Sequence, residues 1–510
     1  MKKLRILAFI LTGTLFFCAC SKEYLATSPT DSKETPSIFE TTKSAALAIN
    51  GINKLMTTQL LSTQGFNGEG TIKMYYGNYP GNNLFTNLPT WAPIINGQYR
   101  ENVSSIYLYY PWYYYYMLIG NANAIIVNID NAAGPEAERQ FIKAQALTYR
   151  AYSYLMLSQI YCKRWSDSNN GSTDGLVLRT DLSTGDMPLS TLSEVYQRIY
   201  GDLDEAIELY SLSGKRRTAN YDPDINVAKS VYARAAITRQ DYPTAIEMAS
   251  SVKANFPLMT NGEYREGFYT PNREWIWSSY GASDETLYYF SYFAYIAYNS
   301  NASAVRLYPK CISKDLYNKI PADDIRKTLF LDPTGYTYTT TSGLAPNSSA
   351  LAAKARQMFP ALYPTSNIYA YMQFKIAAAD LPGVGNLNHF RSSEMYLIEA
   401  EANYFKGDEQ GAINALELLN RQSGRNPSYT CTKTGSELLE EIKLYRSIEL
   451  WGEGFDWFDL KRWGDSINRN SIANGGNFIP VLAITASPQD GNEWTWKIPL
   501  KETDYNGGID

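Results

Sequence analysis

The nineteen residues from Arg446 to Gly464, RSIELWGEGFDWFDLKRWG, set the charges of Arg446, Glu449, Glu453, Asp456 and Asp459 among large aromatic rings. Two kinds of chemistry fit that mixture. Two of the acids among Glu449, Glu453, Asp456 and Asp459 could serve as a catalytic carboxylate pair, one of them with a raised pKa. Alternatively, Arg446 and the acids are buried and paired, because an unpaired buried charge is prohibitive while a paired one fixes a geometry. The spacing favours the second. Leu444, Ile448 and Trp451 form one apolar stripe of a helix. Gly452 and Gly454 then allow a break, and Trp457, Phe458, Leu460 and Trp463 supply apolar surface in a second short turn. The stretch reads as a clamp locking two helices together.

Other chemistries are excluded by counting. The chain has one histidine, His389, so His-based triads and multi-His metal sites are ruled out. It has no Gly-x-Ser-x-Gly, phosphate loop, His-Glu-x-x-His or calcium-loop pattern. Cys162, Cys311 and Cys431 make neither a disulfide framework nor a zinc pattern and read as buried thiols. Neither a cofactor nor a metal is expected. Tyrosine is abundant, at 42 residues beside 10 Trp and 19 Phe, and it joins a flat apolar face to a polar tip suited to wet recognition surfaces.

These residues must be positioned by a long chain of 510 residues. Its start, MKKLRILAFILTGTLFFCAC, has a basic head and an apolar run from Ile6 to Phe17, too short to cross a bilayer. Small Ala19 before Cys20 resembles a bacterial lipoprotein signal (residues 1–19), with Cys20 acylated; plain secretion with cleavage near Ala19 is the alternative. Losing Lys2, Lys3 and Arg5 takes the formal charge from −5 to −8, which argues against nucleic acid as a partner. Residues 20–41 read as a polar tether, and 42–510 as a single domain. Helical periodicity is expected over Thr42–Leu61, Ser105–Asn128 and Pro135–Tyr161, the last two as an antiparallel hairpin. Asn121 and Asn123, inside the first of that pair, are expected to bond neighbouring backbone.

Three stretches, GDLDEAIELY, QDYPTAIEMA and GDEQGAINAL, place Asp202, Asp241 and Asp408 four residues before an Ala-Ile pair. Ala235 and Ala402 precede the last two at matching distance. Small residues let helices approach closely, and the acid suits the first turn of a second helix. The pattern resembles degenerate tetratricopeptide units, in which stacked hairpins share a core. The fold class is therefore mostly α: a tetratricopeptide-like helical hairpin scaffold, residues 105–254 and 389–464, with helices resuming at Arg391–Phe405, Glu409–Arg421 and Ser436–Gly452. Loop-rich regions at 62–104 and 255–388 complete it, the second an insertion with a few short strands, including the run ETLYYFSYFAY.

Several stretches together resemble one family, the SusD/RagB-like outer-membrane lipoproteins of Bacteroidetes nutrient uptake. They are Cys20-Ser-Lys-Glu-Tyr-Leu, AQALTYRAYSYLMLSQIY, RSSEMYLIEAEANYFKGDEQGAINALELLNRQSGR, IELWGEGFDWFDLKRWG and KIPLKETDYN, in the family's order along nearly the whole chain. The resemblance implies a cell-surface lipoprotein of the outer membrane. It would sit on a SusC-like TonB-dependent transporter and bind oligosaccharides, or peptides in the RagB branch, without catalysis. A repeat-scaffold adaptor that binds only protein partners is the other alternative.

A neutral oligosaccharide presents hydroxyls around weakly polar C–H faces, so flat aromatics flanked by amides and a charged group would match it. The first loop region offers Tyr75, Tyr76, Asn78, Tyr79, Trp91, Asn96 and Arg100. The insertion offers Trp275, Trp277, Tyr280, Tyr295 and Tyr298, with Asn299 beside them. Trp91, between Pro89 and Pro93, is the first choice for an exposed platform. Trp275 and Trp277 alternate, so a strand would bury one and expose the other. The run Tyr113–Tyr116 points all round a helix and is expected to be mostly core.

Overall fold

A computed structural model describes residues 38–61, 65–282, 290–490 and 494–509. The signal peptide, Cys20 and most of the tether lie outside them. The helical patterns pair off as hairpins: α1, Thr42–Leu55; α2, Ile106–Asn128; α3, Glu136–Tyr161; α4, Leu192–Ser213; α5, Ile225–Arg239; and α6, Tyr242–Lys253. After the insertion come α7, Ser392–Phe405; α8, Glu409–Glu417; α9, Gly435–Glu449; and α10, Asp456–Trp463. Consecutive helices pack from α2 to α6, and α6 packs on α7, so the second and third repeat copies meet in space across the insertion. Ala235 and Ala402 are fully buried at these contacts.

Two of the three repeat acids stand at the start of a helix, as expected, and there they serve as its N-cap. Asp241 accepts from the Thr244 N–H at the start of α6, and Asp408 from the Gly411 N–H at the start of α8. Asp202 does not: it lies in the middle of α4, wholly buried, and grips Arg150 of α3 through both oxygens at 2.7 and 2.8 Å.

The insertion is tied off at its base by a two-stranded antiparallel ladder, β1 (Trp275–Ser279) against β2 (Leu387–Arg391), with Trp275 opposite Arg391 and Ser279 opposite Leu387. The described part of ETLYYFSYFAY is not a strand. Ser291 accepts from the Ala294 N–H and starts a short helix, Tyr292–Ile296, while residues 283–289 fall outside the described set.

The first loop region also corrects its expectation. It contains a helical turn at Gly68–Thr71 running into a π-helical turn at Ile72–Asn78, and every residue from Gly65 to Gly81 is buried. This segment docks on the break in the Arg446–Gly464 stretch. Asn78 donates to the Gly452 carbonyl at 2.7 Å and accepts from the Gly454 N–H at 2.9 Å, and Lys73 donates to the Glu453 carbonyl. The backbones come so close that a Cβ on Gly77 would lie 2.1 Å from the Gly454 carbonyl oxygen, and Gly454 has φ +92°. Only glycine fits both positions.

The clamp reading of the charges holds. Arg446 pairs with Asp459 at 2.7 Å, and Arg462 joins Asp459 to Glu401 of α7. Asp456 accepts from the backbone and side-chain amides of Asn83, although burial pushes its carboxyl up to about 7. Glu449 and Glu453 enter a larger buried network. Arg391 bonds Glu274, Glu449 and Glu453; Arg425 bonds Glu274; Arg326 joins Asp324 to Glu449; and Lys375 bonds Glu453, all at 2.6–2.8 Å. The network draws Asp324, Arg326 and Lys375 from the insertion and Glu449 from the scaffold.

Breaking such a network leaves uncompensated buried charge, so Arg391→Met is expected to destabilise the protein by about 3–5 kcal/mol, measured as a shift in the urea midpoint. The same network sets the acid limit of stability. Burial alone would raise the Glu453 carboxyl, but Arg391 and Lys375 outweigh it and hold the group at about 2; Glu274 and Glu449 are lowered in the same way by their arginines. Stabilisation from a lowered carboxylate is complete above its unfolded pKa and lost as pH falls through the folded one. Urea midpoints are therefore expected to fall steeply between the ordinary carboxylate value of 4.5 and about 2.

Candidate functional site

Pro89 starts a 3₁₀ turn, Pro89–Trp91, and the chain continues directly into the helical turn Ala92–Ile95. This corner leaves Trp91 half buried. Its indole stands edge-on to Tyr75 at 5.8 Å between ring centres and 5.9 Å from Tyr295. Tyr75 and Tyr295 share a hydroxyl–hydroxyl hydrogen bond of 2.8 Å. The two regions chosen from the sequence thus meet beneath Trp91, one through a π-helical turn and the other through the Tyr292–Ile296 helix.

The group extends sideways. Tyr107, in the first turn of α2, lies 6.2 Å from Tyr75 and stacks on Tyr99 at 4.7 Å, and both are half buried. Neither was chosen as a ligand contact; the helical phase of α2, which turns Tyr107 away from buried Leu108 and Tyr110, could have pointed to it. Half-buried Arg100 adjoins Tyr99, and burial lowers its guanidinium from its ordinary value. Burial raises the phenols of Tyr75 and Tyr107 and pushes Tyr295 up to about 12. The face therefore combines ring surface, phenolic hydroxyls and one cation, a mixture chemically suited to a hydroxylated ligand.

The other chosen residues are placed differently. Tyr76 and Tyr79 are core, the former donating to the Tyr107 carbonyl and packing on Trp496. Asn78 pins the glycine break, and Asn96 bonds the Val481 carbonyl and Arg469. Trp275 and Trp277 are both buried, correcting the expectation that one would be exposed: residues two apart share a face of a regular strand, a register shift separates these two, and β1 is covered on both sides. Trp277 packs on Tyr149, Tyr152 and His389 of the interior, while Trp275 joins a second small core with Tyr264 and Phe268. Tyr298 is half buried in a separate aromatic group with Phe359 and Phe374. Tyr280 is 52% exposed but packs against Tyr221, away from Trp91.

A stack of helical hairpins with aromatic-rich loop regions packed against it defines a helical repeat-scaffold protein. More particularly, the chain belongs to the SusD/RagB-like family. The model described as the SusD family matches residues 260–508, and the one described as starch-binding associating with outer membrane matches residues 40–236. No curated protein matches. Among solved structures, a SusD-like carbohydrate-binding protein of Bacteroides vulgatus shares 23% identity over 92% of this chain and 97% of its own, with a TM-score of 0.74. A SusD superfamily protein of Bacteroides thetaiotaomicron shares 22% over 92% and 99%, with a TM-score of 0.72. A SusD-like carbohydrate-binding protein of Bacteroides fragilis shares 15% over 93% and 100%, with a TM-score of 0.68. At these identities the likeness establishes the fold.

The two kinds of tryptophan should separate by stability. Trp277→Ala is expected to cost about 3–5 kcal/mol, as for a fully buried indole, and Trp91→Ala clearly less, in thermal or urea unfolding.

Proposed function

We propose that the chain is a non-catalytic binding protein of the bacterial outer membrane. It takes up neutral oligosaccharides on the Trp91 face and passes them to a TonB-dependent transporter. The observation that carries this reading is the half-exposed indole of Trp91, braced from below by Tyr75 and Tyr295 and flanked by the Tyr99–Tyr107 stack. A braced ring is pre-organised, so binding a sugar's C–H face costs little ordering entropy. Half-buried Arg100 supplies a charged neighbour for hydroxyls. The family descriptions, of starch binding and of association with the outer membrane, favour the same ligand class and location.

A binding role without chemistry accords with the charges of the Arg446–Gly464 stretch, which are spent on holding helices together. Acylation at Cys20 would tether the protein at the membrane surface, and the polar stretch after it would let a lid swing without detaching. The transporter's outer loops would then close the other side of the ligand.

In isothermal titration with a panel of neutral oligosaccharides, Trp91→Ala is expected to weaken binding at least tenfold. Unchanged affinity would remove Trp91 from the site, and sugar products on chromatography would overturn the non-catalytic reading. Solubilised in mild detergent, the native protein is expected to co-purify with a large barrel; recovery only as a free monomer would sink the transporter assignment.

A further inference from the structure

The outward face of α2 lies apart from the Trp91 face and has its own architecture. Apolar and aromatic residues run all round this helix, and such a helix is ordinarily covered on every side. Yet Tyr109, Tyr113 and Tyr116 are only half buried, and Val127 further along is 47% exposed. The rings of Tyr109 and Tyr113, one turn apart, lie 5.6 Å from each other, and the Lys501 ammonium sits 4.5 Å above the Tyr109 ring. They form one wall of an open groove of about 400 Å³, whose opposite wall is the segment Arg179–Thr184.

That segment is irregular, but its base is anchored by buried side chains. Asn123 donates to the carbonyls of Arg179 and Asp181, both at 3.0 Å, Tyr154 donates to that of Arg179, and Arg150 donates to that of Thr180. Three successive carbonyls are thus held from below. Further on, Met187 is pinned through both its backbone groups by Asn506. Arg150 is itself locked by Asp202, the repeat acid that caps no helix. A buried carboxylate, a buried guanidinium and a buried amide therefore all serve to position an exposed wall facing tyrosine rings.

We propose that this groove is a second binding site, for a short neutral oligosaccharide; the ligand class rests on the function proposed above. The formal charges lining it balance, Arg179 and Lys501 against Asp181 and Glu502, so neither an anion nor a cation is favoured. One wall offers ring faces for C–H surfaces, and the other offers Ser183, Thr184 and Asp181 for hydroxyls. The volume lies within the range of roughly 300–1,000 Å³ typical of small-ligand sites. That wall also carries Leu182, 51% exposed, but an apolar helix of a protein partner would meet the charged and hydroxylated side chains of Arg179, Asp181, Ser183 and Thr184 around it and is the poorer match.

The test is equilibrium titration of the soluble chain with maltoheptaose, cellohexaose and xylohexaose, in the wild type, Trp91→Ala, Tyr113→Ala and the double variant. The expected result is two sites for at least one sugar, one weakened at least tenfold by Tyr113→Ala and untouched by Trp91→Ala. Tyr113→Leu, which keeps the bulk but not the ring, should behave like Tyr113→Ala and covers the case in which the smaller residue fails to fold. A single site abolished by Trp91→Ala and indifferent to Tyr113 overturns the groove and leaves the Trp91 reading standing. A single site abolished by the Tyr113 variants alone supports the groove and overturns the Trp91 reading. No binding of any of the three sugars overturns the groove proposal.

Discussion

Glu449 reaches no water, and three arginines surround it. Taken with Arg391, Glu274, Glu453 and their partners, it makes a set of buried charges that is tolerable only when all are present and correctly placed. A network of this kind need not be more stable than an apolar packing of the same shape. Its effect is on alternatives: any other docking of the insertion on the helices strands a charge in a medium that cannot solvate it. The insertion is long, poor in regular structure and held by short ladders, so it has little else to fix its orientation. The network is the constraint from which the rest of the architecture follows.

The consequence travels outward through the glycine break. Gly452 and Gly454 carry the chain from the network-bearing end of α9 toward α10, and the backbone there meets Gly77 at contact distance. Asn78 and Lys73 bond that turn on either side. The π-helical turn that carries Tyr75 is therefore positioned by the same residues that close the charge network. Tyr75 in turn braces Trp91 and bonds Tyr295. From Arg391 to the half-buried indole the path runs through packed, hydrogen-bonded groups, which is how a looped region can present a rigid platform.

This dependence explains what the sequence revealed and what it hid. Helices were legible because the 3.6-residue period, the acids Asp241 and Asp408 and the small residues Ala235 and Ala402 are local signals. The pairing of charges around Trp451 and Trp457 was legible because burial leaves charges no other option. The fate of individual aromatics was not. Tyr76 and Tyr79 sit in a stretch rich in Gly, Asn and Pro that reads as loop, yet the glycines there serve close packing rather than flexibility. Trp275 and Trp277, two residues apart, would share one face of a regular strand, but the register shift between them sends them into different cores, and a strand buried on both faces exposes neither. Which ring is exposed depends on contacts more than a hundred residues away, such as Trp277 with Tyr149 or Tyr75 with Tyr295, and no short window of sequence contains both partners. Trp91, expected to be exposed, is half buried at a corner that Pro89 and Pro93 define locally.

Asp202 shows the same logic from the opposite direction. Its position in the repeat matches Asp241 and Asp408, and by pattern alone all three are helix caps. In the first copy the helix begins ten residues earlier, at Leu192, so the acid falls in a buried mid-helix position where a cap has no meaning. A carboxylate there is tolerable only with a partner, and Arg150 is that partner. Arg150 then has a donor left over, and it bonds the carbonyl of Thr180 in a segment that no strand or helix would hold. In both halves of the molecule, buried ionic groups on helices are used to fix irregular backbone at the surface. A helical repeat supplies rigid backbone but few loops with defined shape, and buried charge supplies the shape.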